Sequence, residues 1–237
     1  SSGISRALGN YGSFAGLAGI TLPTESTESN SQKAIEKLSS LSFFKNNILP
    51  NIFLPDLMAV DSWNHKTNNL EYDADLYNKD TKKWVRKYSY PQKQIPSAQE
   101  SFKVFKTKHL TLSEEKRTGF ISLSIKHQSP IISKEWAELM VNEVNHFYRE
   151  KDKHESERAI DYLNKQIEMT TLSEIRIVIA DLMQEETKKL ALVKANEYYV
   201  FDYIDPPAIM EVKSGPSRAI ILLFFTLLGL MLSISIV

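Results

Sequence analysis

The 237-residue sequence contains no cysteine. Disulfide frameworks, Cys-ligated metals and cysteine nucleophiles are therefore excluded, and the chain fits any compartment, oxidising ones included. Net charge is absent too. The 29 Lys and Arg are balanced by 29 Asp and Glu, whereas nucleic-acid-binding surfaces usually carry a basic excess, so no nucleic-acid partner is expected. The five histidines (His65, His109, His127, His146 and His154) form no H-x-x-x-H or H-E-x-x-H pair, so the spacing offers no zinc site. No G-x-S-x-G elbow is present. Glycine is scarce except at the start, where five of eight fall in the first 19 residues: Gly3, Gly9, Gly12, Gly16 and Gly19. The stretch GNYGSFAGLAG lacks both the Lys-Ser/Thr ending of a P-loop and G-x-G-x-x-G spacing, and reads as a loop. The carboxylate pairs Asp73/Asp75 and Glu185/Glu186 are ordinary in number, and a charged helix face explains the second. No catalytic residue, cofactor or metal ligand is expected, and the chain reads as non-enzymatic.

The chain also lacks an initiating Met and a signal peptide, so it reads as an internal segment. What it has instead is a long apolar end. After Arg218 no charged residue occurs before Val237, and the polar side chains there are Thr226, Ser233 and Ser235. A helix over 219–237 would span ~28 Å, close to the ~30 Å hydrocarbon core of a bilayer, and its hydroxyls can bond back to helix carbonyls. A transmembrane helix over 216–237 is expected. Gly229 and Ser233 form a small-xxx-small pair suited to close helix packing. Lys213 and Arg218 flank the N-terminal side and by the positive-inside rule would place it in the cytoplasm.

Between the two ends, helices are expected from about Ser31 to Leu41 and from Ser42 to Leu49, with Pro50 and Pro55 as breakers. Residues 61–91 read as an irregular surface segment with Trp63 and Trp84 as docking points. Ser97 followed by Glu100 forms a capping box. Leu110–Leu112 and the alternating Ile121, Leu123 and Ile125 form a hairpin. Ser133 is expected to cap a helix running to about Met169, with Trp136, Met140, Val144 and Phe147 on one face. The run REKDKHESER over 149–158 is almost devoid of apolar side chains, and Lys151–Glu155 and Lys153–Glu157 have i,i+4 spacing. This is the pattern of a helix crossing solvent. After Thr170 and Thr171 a second helix is expected over Ser173–Asn196, with Leu172, Ile175, Ile179, Leu182 and Val193 as its seam. The two helices form an antiparallel arm. EYYVFDYID reads as a strand by its aromatic and β-branched content, and Pro206 and Pro207 end it.

The order of these features resembles the Wzz-type polysaccharide co-polymerases, the chain-length determinants of bacterial surface polysaccharides. GLAGITLP, LTLSEEKRTGFISLSIKHQSPIISKEWAELMVNEVN, RAIDYLNKQI, LMQEETKKLALVKANEYYVFDYIDPP and SGPSRAIILLFFTLLG carry the likeness. It covers nearly the whole chain. Two departures stand out: the prolines reduce to Pro206, Pro207 and Pro216, and Ser233 occupies the position of a second glycine. The resemblance implies an α+β fold: a membrane-proximal base with a small mixed sheet, a long protruding antiparallel helical arm and a C-terminal transmembrane helix. The expected divisions are a Gly/Ser-rich loop over 1–30 after a missing first membrane helix, a base over 31–130 and 197–212, an arm over 131–196, and a membrane helix over 216–237. Pro206, Pro207, Pro216, Gly229 and Ser233 would serve the lead into the membrane and packing within it. The resemblance also implies the bacterial inner membrane with the main domain periplasmic, against the flank argument. It implies a homo-oligomer acting with a Wzy-type polymerase, with membrane lipid and a lipid-linked glycan as further partners. Such an oligomer would regulate the modal chain length of an O-antigen, enterobacterial common antigen or capsule type of polysaccharide, with no cofactor. On that view Lys151, Lys153 and Arg158 are expected to make arm or oligomer contacts. The rival readings are a tail-anchored coiled-coil tether, the ectodomain of a membrane tyrosine-kinase co-polymerase, and a glycan-processing enzyme.

Overall fold

A computed structural model describes residues 30–115, 117–196, 198–215, 222–229 and 231. The chain runs through α1 (Asn30–Leu38), a short α2 (Leu41–Phe43) continuing as a π-turn (Phe44–Ile48) and a 3₁₀ turn (Leu49–Asn51), then α3 (Leu54–Met58). Two hairpins follow, β1 (Val60–Asn64) with β2 (Asn69–Tyr72), and β3 (Tyr77–Asn78) with β4 (Lys83–Trp84). Then come α4 (Ala98–Val104), a second π-turn (Phe105–His109), the hairpin β5 (Leu110–Glu114) and β6 (Ile121–Ile125), and the long pair α5 (Pro130–Met169) and α6 (Ser173–Ala195).

The core of the base lies where these meet. Phe43, Phe44, Ile48, Phe105, Met140 and Val144 are fully buried in one cluster with Leu38, Leu57 and Trp136. Each such side chain removed from water contributes roughly 1.5–3 kcal/mol. Both π-turns begin with a phenylalanine aimed at this cluster, and the Phe44 and Phe105 rings lie 5.1 Å apart. Trp136, Met140 and Val144 therefore share the buried face of α5 as the 3–4 spacing predicts, and Phe147 packs partly buried beside them. The β5–β6 hairpin pairs Leu110 with Ile125 and Leu112 with Leu123, laying these four against the core while Thr111 and Ser124 face out. Gly119, at φ 72°, lies in its turn.

Several expectations are corrected. The membrane-spanning C-terminal helix is not shown: among the described residues no helix is long and apolar enough to cross a membrane. What is described is helix over 222–229, a stretch of about 12 Å at 1.5 Å per residue. Pro216, Ser233 and the rest of that span lie outside the described residues, as does the expected Gly/Ser-rich loop up to residue 29. The small mixed sheet is replaced by three separate two-stranded antiparallel hairpins, because no strand among the described residues meets an edge of another hairpin. For the same reason the described part of the aromatic stretch before Pro206 is not a strand. Residues 61–91 are not irregular throughout but hold two hairpins, with Trp84 packed on Tyr77 at 5.3 Å and Trp63 donating to Asn68 Oδ1 at the β1–β2 turn. The helix expected over Ser42–Leu49 changes from α to π to 3₁₀ pitch.

The long helix starts before Ser133. Ser129 is its N-cap, accepting from the Ile132 N–H, and Pro130 takes the first helical position, where proline's fixed φ and missing N–H are tolerated. Its 40 residues make a rod of about 60 Å, and α6 adds about 35 Å. The break is at Thr170, as the pattern predicts.

Candidate functional site

The arm is built from the distal part of α5 and the whole of α6, which pack along each other after the three-residue join. Ser156, Leu163, Ile179 and Val193 are buried. Leu163 and Ile179 lie almost equally far from the join, as antiparallel packing requires. Of the expected seam, Ile179 and Val193 are buried, Ile175 and Leu182 are half-buried, and Leu172 stands exposed at the tip. Apolar side chains also line the outside: Tyr162 and Met169 on α5 and Ile177 and Leu192 on α6, with Met169 76% and Ile177 63% exposed. Tyr162 and Met169 are seven residues apart and so share one helix face.

Between this apolar tip and the base lies the charged belt. Lys151 pairs with Glu155 at 3.8 Å as the spacing predicts. Lys153 does not take Glu157 but reaches back to Glu150 at 3.3 Å, and His154 stands between Glu150 and Glu157. The Lys153 hydrogen bond holds the Glu150 carboxyl below the usual carboxylate range. Arg158 is exposed and makes no ion pair with a described residue. Lys151 and Arg158 share a face of α5, whereas Lys153 lies about 200° around the helix from Lys151. The belt thus presents cations in two directions rather than one cluster. Pro206 is exposed and Pro207 half-buried in a non-helical segment. A side chain added at Gly229 would meet no atom within 4 Å, so the described residues give it no packing partner.

The seat of the arm rests on residues that periodicity does not reveal. Asn145, 3% exposed, donates to the Phe201 carbonyl at 2.8 Å and accepts from the Val200 and Phe201 N–H groups at 2.8 and 2.9 Å. One side chain thus supplies what a neighbouring strand would have given the returning segment. Tyr199 donates to Asp152 at 2.7 Å and ties the same segment to α5 two turns further on. Arg86 clamps both oxygens of Glu100 and the carbonyls of Lys93 and Gln94, fixing the 87–96 loop to α4. The Arg86 partnership holds the Glu100 carboxyl below its ordinary range.

Beneath the start of α5 sit two histidines. The His109 and His127 rings stack at 5.7 Å, and both pack in T-shaped fashion against Trp136, at 5.5 and 5.0 Å. The hairpin reading held the signal for this pair: His109 precedes β5 and His127 follows β6, so antiparallel register brings them together. Next to them, between the β1–β2 hairpin and α5, is an open groove of about 280 Å³ lined by Asp56, Asn68, Asn69, Tyr72, Lys79 and Glu135, among others. Its polar groups are largely engaged within the protein, with Tyr72 donating to Asp56 at 2.6 Å and Lys79 to the Leu70 carbonyl. Among the described residues no group of three His, Asp or Glu side chains is placed to hold a metal ion.

No known protein-family model matches the chain, and no curated protein is significantly similar to it.

Proposed function

We propose that this protein is a polysaccharide co-polymerase of the Wzz type, a scaffold that sets the modal length of a bacterial surface glycan in concert with a Wzy-type polymerase. The observation that carries the reading is the arm. A two-helix hairpin leaves a mixed helix-and-hairpin base, crosses a belt of ion pairs and ends with Tyr162, Met169, Leu172 and Ile177 open to solvent. Such a surface gains most by packing against copies of itself, since scattered apolar residues along a hairpin are too many to leave wet and too few to form a second core. Paired arms would raise a tall wall around which polymerases assemble, or along which a growing lipid-linked glycan is measured. The chain itself supplies no covalent chemistry in this reading. Placement at the inner membrane with the base in the periplasm belongs to the same proposal and rests on the family likeness. A coiled-coil tether is less well supported, because the return from arm to C-terminus runs through a non-helical segment containing Pro206 and Pro207, where a tether transmits force through continuous helix.

The direct test is the glycan ladder of cells with and without the gene. The expected result is a modal cluster of long chains that collapses to a smooth, short distribution on deletion and returns on complementation. An unchanged ladder overturns the proposal.

A further inference from the structure

We propose that His127 is a proton-operated latch holding the start of α5 to the base. The hydrogen bonds fix its protonation state. The Ser129 backbone N–H, which can only donate, points at Nδ1 over 3.0 Å, and the Asp56 backbone carbonyl, which can only accept, faces Nε2 at 3.0 Å. Only the neutral ring with its proton on Nε2 satisfies both. A second proton must go to Nδ1, where it opposes the Ser129 N–H. Two donors then face each other, and a cation is placed at the N-terminus of a 40-residue helix, where the backbone dipole repels it. Ser129 is the N-cap of that helix, so the bond lost is the one that seats the cap.

His109 extends the device. Its Nδ1 donates to the Lys126 carbonyl at 2.7 Å, joining the two ends of the β5–β6 hairpin, and its ring stacks, offset and inclined by 29°, beside His127. The titratable and charged groups facing the pair are few. Asp56, from α3, acts on His127 and favours its cationic form, but its carboxylate is already engaged by Tyr72. Lys108, on the π-turn, and His127 itself oppose a charge on His109. Burial against Trp136 is the larger influence and holds both rings below the ordinary imidazole range.

The sign follows. Both groups bind protons less readily folded than unfolded. Stability is therefore greatest above the unfolded imidazole value of ~6.5 and falls as pH drops from there towards the lower folded values. The loosened element is the start of α5 together with the hairpin, the part of the base from which the long helix rises. The inference stands on the fold alone and does not depend on the glycan reading.

The test uses the full chain. Ring ¹⁵N shifts at neutral pH are expected to show the Nε2–H tautomer of His127; an Nδ1–H tautomer overturns the proposal. Between pH ~7.5 and ~5, exchange of the Ser129 amide, corrected for intrinsic rate and referenced to the Met140 amide, is expected to rise at least ~3-fold, and a smaller rise overturns it. In His127→Asn, whose Oδ1 still accepts from Ser129 but takes no proton, the rise is expected to disappear; its persistence overturns the latch. Where that variant does not fold, the two wild-type measurements decide.

Discussion

At the scale of single residues, the seat of the arm turns on side chains that replace missing backbone partners. Asn145 satisfies three polar backbone positions of a segment that has no neighbouring strand among the described residues. Asn145→Ala removes all three partners, and each buried polar group left unmet costs about 1–3 kcal/mol. Val200 and Phe201 are half-buried and can recruit some water, so a net loss of about 2–3 kcal/mol is expected from denaturant titration. A loss below ~1 kcal/mol would show that the return segment is held by something else. Ser156 presents the opposite case. Its Oγ is buried in the arm with no hydrogen-bond partner among the described residues, so Ser156→Ala relieves a desolvated hydroxyl while keeping its volume. The variant is expected to be more stable by about 1 kcal/mol, read as a raised midpoint of thermal unfolding.

At the scale of elements, the 87–96 loop, exposed up to Pro96, is tied down by an ion pair and by Gln94 donating to the Trp84 carbonyl. Arg86 and Glu100 are partly shielded, at 10% and 23% side-chain exposure, and the guanidinium also binds two carbonyls of the loop. Because the Glu100 carboxyl titrates below its ordinary range, its contribution is present above the unfolded value of ~4.3 and is lost as pH falls through the lower folded value. Glu100→Gln should flatten that acid limb of the stability curve. Arg86→Ala should open the loop, seen as faster tryptic cleavage at Lys87 and Lys93 with the helical circular dichroism unchanged; equal cleavage rates would refute the clamp. How much of this was readable beforehand follows the physics of each element. Period-3.6 and period-2 patterns declare buried faces, so Trp136, Met140 and Val144 on α5 and the β5–β6 alternation are legible. So is the break at Thr170. A capping serine followed by proline marks a helix start as clearly as any periodicity, yet Ser129–Pro130 lies next to the more conspicuous Ser133. A strand depends on a partner that sequence does not name, and so the aromatic stretch before Pro206 reads as β while Asn145 takes the partner's place. The histidine pair and the Arg86 clamp join residues 18 and 14 positions apart through turns, where spacing carries no period.

At the scale of the whole molecule, the question is what covers the arm. Its buried face is thin, with Leu163, Ile179 and Val193 as the buried apolar side chains among the described residues of the arm, whereas the base encloses a continuous aromatic core. An arm held this lightly keeps its helices through intrahelical bonds and the charged belt rather than through packing, and gains most from a second arm laid along it. The outward Tyr162, Met169, Ile177 and Leu192 are the side chains such a contact would bury, and Met169 and Ile177 are the most exposed of them. Replacing Met169 or Ile177 by Asp should therefore leave the unfolding midpoint of the base within experimental error. The same changes should lower the mass measured by light scattering, because a carboxylate in an apolar contact is left unpaired. Charge reversal at Lys151 or Arg158, which share the same face of α5, should act in the same direction and lose its effect in high salt, as solvent-exposed pairs do. A mass unchanged by Met169→Asp and Ile177→Asp together would mean that copies of this chain do not meet through their arms.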